Sequence, residues 1–164
     1  MFTLPLLKEG DTVGIIACSD GIEYGQRAKI EELISVFNAW DLEVDVATTI
    51  YRRNSFFSGP PRERADELNR LFADDNIKAI FDVSGGDSAN HMLPYIDFEM
   101  IKANPKPFFG LSDLSVILNS LYTKSNMNTY HYYIMNLVRE YKAEQRKNFY
   151  NSIFEGKSDL FEIG

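Results

Sequence analysis

The stretch VSGGDSANHM, Val83 to Met92, sets two adjacent glycines, an aspartate and a serine between an apolar run and a segment of helical character. Glycines at the start of a helix let backbone N–H groups converge on an anion, aided by the helix dipole. A stable phosphate calls for G-x-G-x-x-G or G-x-x-x-x-G-K-[ST]. The stretch has neither spacing and no lysine, and Asp87 would repel a phosphate. The other candidate anion is the transient oxyanion of acyl transfer, formed beside a nucleophile on a tight strand-to-helix turn, where Ser88 supplies a hydroxyl. The hydrolase pattern G-x-S-x-G is absent, and serine is also an ordinary turn residue, so a phosphate cradle, an oxyanion elbow and a plain turn all remain open on these residues.

The flanking sequence indicates what positions this turn. TVGIIAC, Thr12 to Cys18, is a β-branched run closed by SDG and reads as a strand buried on both faces. Ile30, Leu33, Ile34 and Phe37 recur at helical spacing and form one apolar stripe. LEVDVA, Leu42 to Ala47, alternates as a second strand, and an irregular connection follows to Gly59. Pro61 suits a first helical position, with Ala65, Leu68 and Phe72 on one face. Ile77 to Val83 is the third strand and delivers the chain to the glycine turn. Two short helices follow, the second with Asp97 as N-cap, and then a strand from Lys106 to Gly110. The helix LSVILNSLYTKS comes next, with Ser112 or Asp113 as its cap, and the tail is helical to about Phe154. This β-α alternation predicts an α/β fold of the Rossmann-like or flavodoxin-like kind: three layers, with a mostly parallel sheet covered by helices on both faces. Binding sites in such sheets lie at the carboxyl ends of strands, here ACSDG, VSGGDSANHM and GLSD.

At 164 residues the chain fits one domain, and 12 Phe, 9 Tyr and 1 Trp supply bulky core material. A formal charge of -7 argues against nucleic acid as partner. The single Cys18 excludes an internal disulfide and a cysteine-based zinc site and reads as a small buried hydrophobe. The apolar stretches are too short and interrupted to span a bilayer, and the N-terminus has no signal-peptide pattern, so a cytoplasmic protein with no membrane partner is expected. Neither His91 nor His131 has a metal-ligand partner at useful spacing, so no metal and no cofactor are expected.

Four stretches together resemble the LD-carboxypeptidase family of serine peptidases, which includes the microcin C immunity peptidases. They are GDTVGIIACSDG, GPPRERADELNRLFADDNIKAIFDVSGG, NHMLPYIDFEMIKANPKPFFGLSD and LYTKSNMNTYH, in the family's order and spacing. The match runs from Gly10 to about His131 and covers the family's N-terminal domain. The resemblance implies a cytoplasmic hydrolase that releases a terminal D-amino acid from a peptidoglycan peptide, or that inactivates a microcin-type peptide-nucleotide. It implies metal-free acyl transfer, in which a serine attacks, a histidine acts as base and a glutamate orients the histidine. In the family the Glu and His come from a C-terminal domain. Residues 1–164 are therefore expected to be a single α/β domain without it, whose apolar surface would seat that domain or a second copy as a homodimer.

Aligned with the family's Gly-Gly-x-x-Ser, the chain reads Gly85, Gly86, Asp87, Ser88, Ala89, so the resemblance puts Ala89 at the nucleophile position. A catalytically silent peptide-binding relative, a mutated site and substitution by Ser88 are the three readings of that alanine. The last requires the hydroxyl to act from one residue away, and a displacement of about 1 Å can already cost on the order of 100-fold in rate. The resemblance assigns Gly85, Gly86 and Asn90 to the oxyanion hole and substrate site, and Ser112 and Asp113 to its rim. Gly86 also suits a turn needing positive φ, and Asn90 a helix cap. His91 reads as a surface residue. His131 matches a family histidine that follows a strand, and a structural role suits it as well.

Overall fold

The structure is a computed structural model that describes residues 3–53 and 55–157. Strands β1 (Thr12–Ile16), β2 (Glu43–Val46), β3 (Ile77–Asp82), β4 (Phe108–Gly110) and β5 (Tyr130–His131) form one sheet in the order β2-β1-β3-β4-β5. Every neighbouring pair is parallel. The central strands β1 and β3 are buried nearly throughout, whereas β2 at the edge is partly exposed, as its alternating sequence requires. His131 lies within β5 rather than after it.

Helices α1 (Arg27–Ala39), α2 (Pro61–Ala73), α3 (Phe98–Ala103), α4 (Ser115–Ser125) and α5 (Lys142–Ile153) cover the sheet. On one face, Ile30, Leu33 and Phe37 of α1 pack with Phe149 and Ile153 of α5. On the other, Leu68, Leu71 and Phe72 of α2 join Ile101 of α3 and Leu121 of α4. Each fully buried side chain of this size contributes roughly 2 kcal/mol of apolar transfer, so the two clusters hold the three layers together. Asp97 caps α3 as expected, its carboxylate accepting from Met100 N at 2.9 Å. The segment Ala89–Tyr95, by contrast, is a 3-10 turn with Pro94 inside it rather than an α-helix.

The strand order reverses direction at β1 and β3, so the connections leaving these two strands diverge to opposite faces. That leaves a crevice at their carboxyl ends, where the glycine turn emerges.

Candidate functional site

Three loops meet in this crevice, and buried side chains tie them together. Asp82, the last residue of β3, is fully buried and accepts from Cys18 N (2.8 Å), Ser84 N (2.7 Å) and Ser84 Oγ (2.6 Å). Burial pushes its carboxyl up to about 6, against the lowering effect of these hydrogen bonds. Ser84 Oγ also accepts from Ser19 N at 3.0 Å, so the ends of β1 and β3 are held in register by side chains beyond the last ladder bond. Ser19 Oγ donates to Asp113 Oδ2 (2.6 Å), and the same oxygen receives Ala89 N–H (3.1 Å). The segments ACSDG, VSGGDSANHM and GLSD, apart in sequence, thus share one carboxylate.

Asp113 therefore ties the elbow rather than capping α4. The chain enters α4 through the 3-10 turn Ser112–Leu114 without a side-chain cap, and Ser112 at φ 65° packs over Gly85. Gly86 adopts φ +148°, the positive region expected of it. Asn90 lies inside the 3-10 segment, whose N-cap is Ser88. Among the described residues, no protein acceptor receives the N–H groups of Gly85, Gly86, Asp87 or Asn90. The turn thus presents open donors, the arrangement that holds an oxyanion or a carbonyl oxygen.

Ser88 faces inward. It is 1 % exposed, and its Oγ lies 3.2 Å from Arg64 Nη1 and 3.4 Å from Asp20 Oδ1. Arg64, on the buried face of α2, is itself 1 % exposed and braces the elbow from below. Its Nη1 donates to Cys18 O (2.6 Å), Ser19 O (3.3 Å) and Ser88 O (3.3 Å), and its Nε to Gly59 O (3.1 Å). Burial lowers its pKa, yet an arginine remains charged, so a fixed cation sits under the turn. Ser58 Oγ supports the same loop through Ala17 O and Ser19 O. Sequence reasoning missed Arg64, although its position on the stripe of Ala65, Leu68, Leu71 and Phe72 marks an arginine facing the core.

A polar cleft of about 220 Å³ opens beside the elbow, lined by Asp20, Glu23, Arg52, Ser84, Gly85 and Tyr133 among others. A larger hollow, of about 590 Å³, lies at the amino ends of the strands, between Leu6, Lys8, Lys78 and Pro107, away from the elbow. His91 and His131 are both exposed. Cys18 is buried, and burial with the neighbouring Asp82 pushes its thiol well up, so it is an inert thiol. Among the described residues no group of three His, Cys, Asp or Glu side chains could hold a metal, and no helix is long and apolar enough to cross a membrane.

Comparison with known proteins gives the same assignment from a separate direction. The family profile described as the LD-carboxypeptidase N-terminal domain matches residues 13–132. A putative carboxypeptidase of Vibrio cholerae is 30% identical over 125 residues, covering 76% of this chain and 37% of its own length. The microcin C7 self-immunity protein MccF of Escherichia coli is 33% identical over 137 residues, covering 76% of this chain and 36% of its own. The chain thus spans well under half the length of these two relatives. Among solved structures, an MccF-like protein from Bacillus anthracis superposes with a TM-score of 0.83 at 25% identity, covering 93% of this chain and 47% of that one. MccF in complex with aspartyl sulfamoyl adenosine superposes at 0.73 with 28% identity, covering 79% and 38%. With the profile matching most of the chain, a relative 33% identical over 137 residues and the same parallel-sheet fold in the superposed structures, the chain belongs to the LD-carboxypeptidase family.

Proposed function

We propose that this chain is a ligand-binding domain of the LD-carboxypeptidase family that recognises, without hydrolysing, a peptide ending in a D-amino acid or a microcin-type peptide-nucleotide. The observation that carries this reading is Ala89, which occupies the position matched to the family's nucleophilic serine and has no lone pair with which to attack. Ser88 is a poor substitute, being buried and committed to Arg64 and Asp20. Recognition remains supported by the open N–H groups of Gly85, Gly86 and Asn90, by the cleft beside them, and by Ser112 over Gly85. The relatives' names supply the ligand classes. One from Bacillus subtilis is described as a probable murein peptide carboxypeptidase, and MccF structures hold acyl-sulfamoyl nucleosides. Murein-peptide recycling would place the protein in the cytoplasm, with a second domain or partner chain completing the ligand site.

Calorimetry with a muramoyl tetrapeptide and the corresponding tripeptide tests this reading, with free D-alanine assayed in the same samples. Tetrapeptide binding without D-alanine release is expected. Release by the unaltered chain, or no binding of either peptide, contradicts it. The open Gly86 and Asn90 donors favour a second reading, in which the elbow keeps its capacity for acyl transfer. D-alanine release by the Ala89→Ser variant supports that one.

A further inference from the structure

The charges lining the elbow cleft do not suit an anion. Asp20 follows Ser19 in the loop after β1 and lies across Gly86, so close that a Cβ on Gly86 would stand 2.3 Å from Asp20 Cγ and 2.4 Å from its Oδ1. Of the other carboxylates nearby, Asp87 is exposed on the turn and Asp113 Oδ1 is buried without a partner, whereas Glu23, Asp82 and Asp113 Oδ2 are engaged. Glu23 pairs with Arg52 at 2.8 Å, and Arg52 Nε is taken by Gly21 O at 3.0 Å. Asp113 Oδ2 serves Ser19 and Ala89, and Asp82 serves Cys18 and Ser84. Asp20 has one side-chain hydrogen bond among the described residues, the long contact of 3.4 Å from Ser88 Oγ, and its acceptor capacity is otherwise open toward the cleft. The nearest buried cation, Arg64, directs its donors to backbone carbonyls and Ser88. An oxyanion or free carboxylate on Gly86 N–H would therefore meet a negative charge beside it, whereas a neutral carbonyl there would not.

Resting on the reading of the cleft as the ligand site, we propose that Asp20 is an ammonium anchor. The ligand bound at the elbow carries a free, protonated amine next to the carbonyl or amide that meets the Gly86 and Asn90 N–H groups. A carboxylate accepts charge-assisted hydrogen bonds from an ammonium, and the cleft is large enough for one amino-acid residue and little more. The ligand class is thus an amino acid or peptide with an unblocked amine at the elbow-bound residue, such as a diamino acid. Residues in which every amine is acylated are disfavoured.

Two probes of similar size separate the possibilities: D-alaninamide has an ammonium and no carboxylate, and N-acetyl-D-alanine the reverse. The full chain, Asp20→Asn and Asp20→Ser are each titrated with both probes, following the amide NMR signals of Gly85, Gly86 and Asn90. The unaltered chain is expected to bind D-alaninamide about tenfold or more tightly than N-acetyl-D-alanine, and both variants to bring that ratio near unity, roughly the loss of one charged hydrogen bond. A preference for N-acetyl-D-alanine, or a preference for D-alaninamide that survives both substitutions, overturns the anchor and leaves the ligand site standing. Elbow signals unmoved by either probe overturn both.

Discussion

On the proposed reading, the methyl group of Ala89 stands in place of the attacking hydroxyl and changes little else. Ala89 N–H still donates to Asp113, the adjacent Ser88 is still held by Arg64, and Gly86 keeps its positive φ. Gly86 is the position where this geometry is least tolerant. An alanine there is strained at φ +148°, and its Cβ runs into Asp20. Gly86→Ala is expected to lose about 1–3 kcal/mol in urea unfolding. Combined with Asp20→Ser, it should lose less than the sum of the two single changes, by roughly 0.5 kcal/mol or more, because the clash is relieved while the backbone strain stays. Arg64 is the second sensitive residue. Replacing it with methionine keeps much of its volume and leaves the oxygens of Cys18 and Gly59 without their side-chain donor, while Ser88 O retains His91 N–H. A loss of about 3–5 kcal/mol is expected, and Arg64→Lys should recover only part of it, because an ammonium lacks the planar fork. Full stability in Arg64→Met would show that the guanidinium does not brace the elbow.

At the scale of elements, the end of β3 ties stability to pH through Asp82. Its folded-state pKa of about 6 lies above the ordinary value of 3.8 because burial disfavours the charged form. The stability this carboxyl supplies is therefore complete below the unfolded value and is lost as pH rises through 6. The stability of the unaltered chain relative to Asp82→Asn should fall by on the order of 2–3 kcal/mol between pH 4 and pH 7.5, read from urea midpoints. A constant difference would mean that Asp82 does not titrate in that range. The same residue explains why strand lengths were less legible than helices. Thr12 to Cys18 is a continuous β-branched run, but the strand stops at Ile16, because Cys18 N is taken by the Asp82 side chain and Ala17 O by Ser58. Such bonds join residues far apart in the chain and leave no local pattern. Helices α1 and α2 were legible from their apolar stripes and, for α2, from Pro61. Strand β5, with two residues, is too short to show a period. The elbow itself was visible in its glycines, whereas Arg64 and Asp20 acquire their roles only when the β1, α2 and β3 loops meet.

For the molecule as a whole, the strand order β2-β1-β3-β4-β5 is one that carries flavin phosphates in other proteins at this same crevice. Fold alone does not choose the ligand, and here the charges decide. With Asp20 over Gly86, Asp87 in the turn and a net charge of -7, a stable phosphate is disfavoured. Saturating FMN is accordingly expected to raise the melting temperature by less than about 1 °C, and a larger rise would return the turn to the phosphate-binding class. The proposed reading is that the sheet, its two helical layers and the buried ties between loops preserve a peptide-binding elbow from which the nucleophile is missing. Its most direct test is an NMR titration of the full chain with a muramoyl tetrapeptide, following the Gly86 and Asn90 amides together with the methyl signal of free D-alanine. Saturable shifts of both amides with no free D-alanine are the predicted result; appearance of free D-alanine, or elbow amides that do not move, would contradict it.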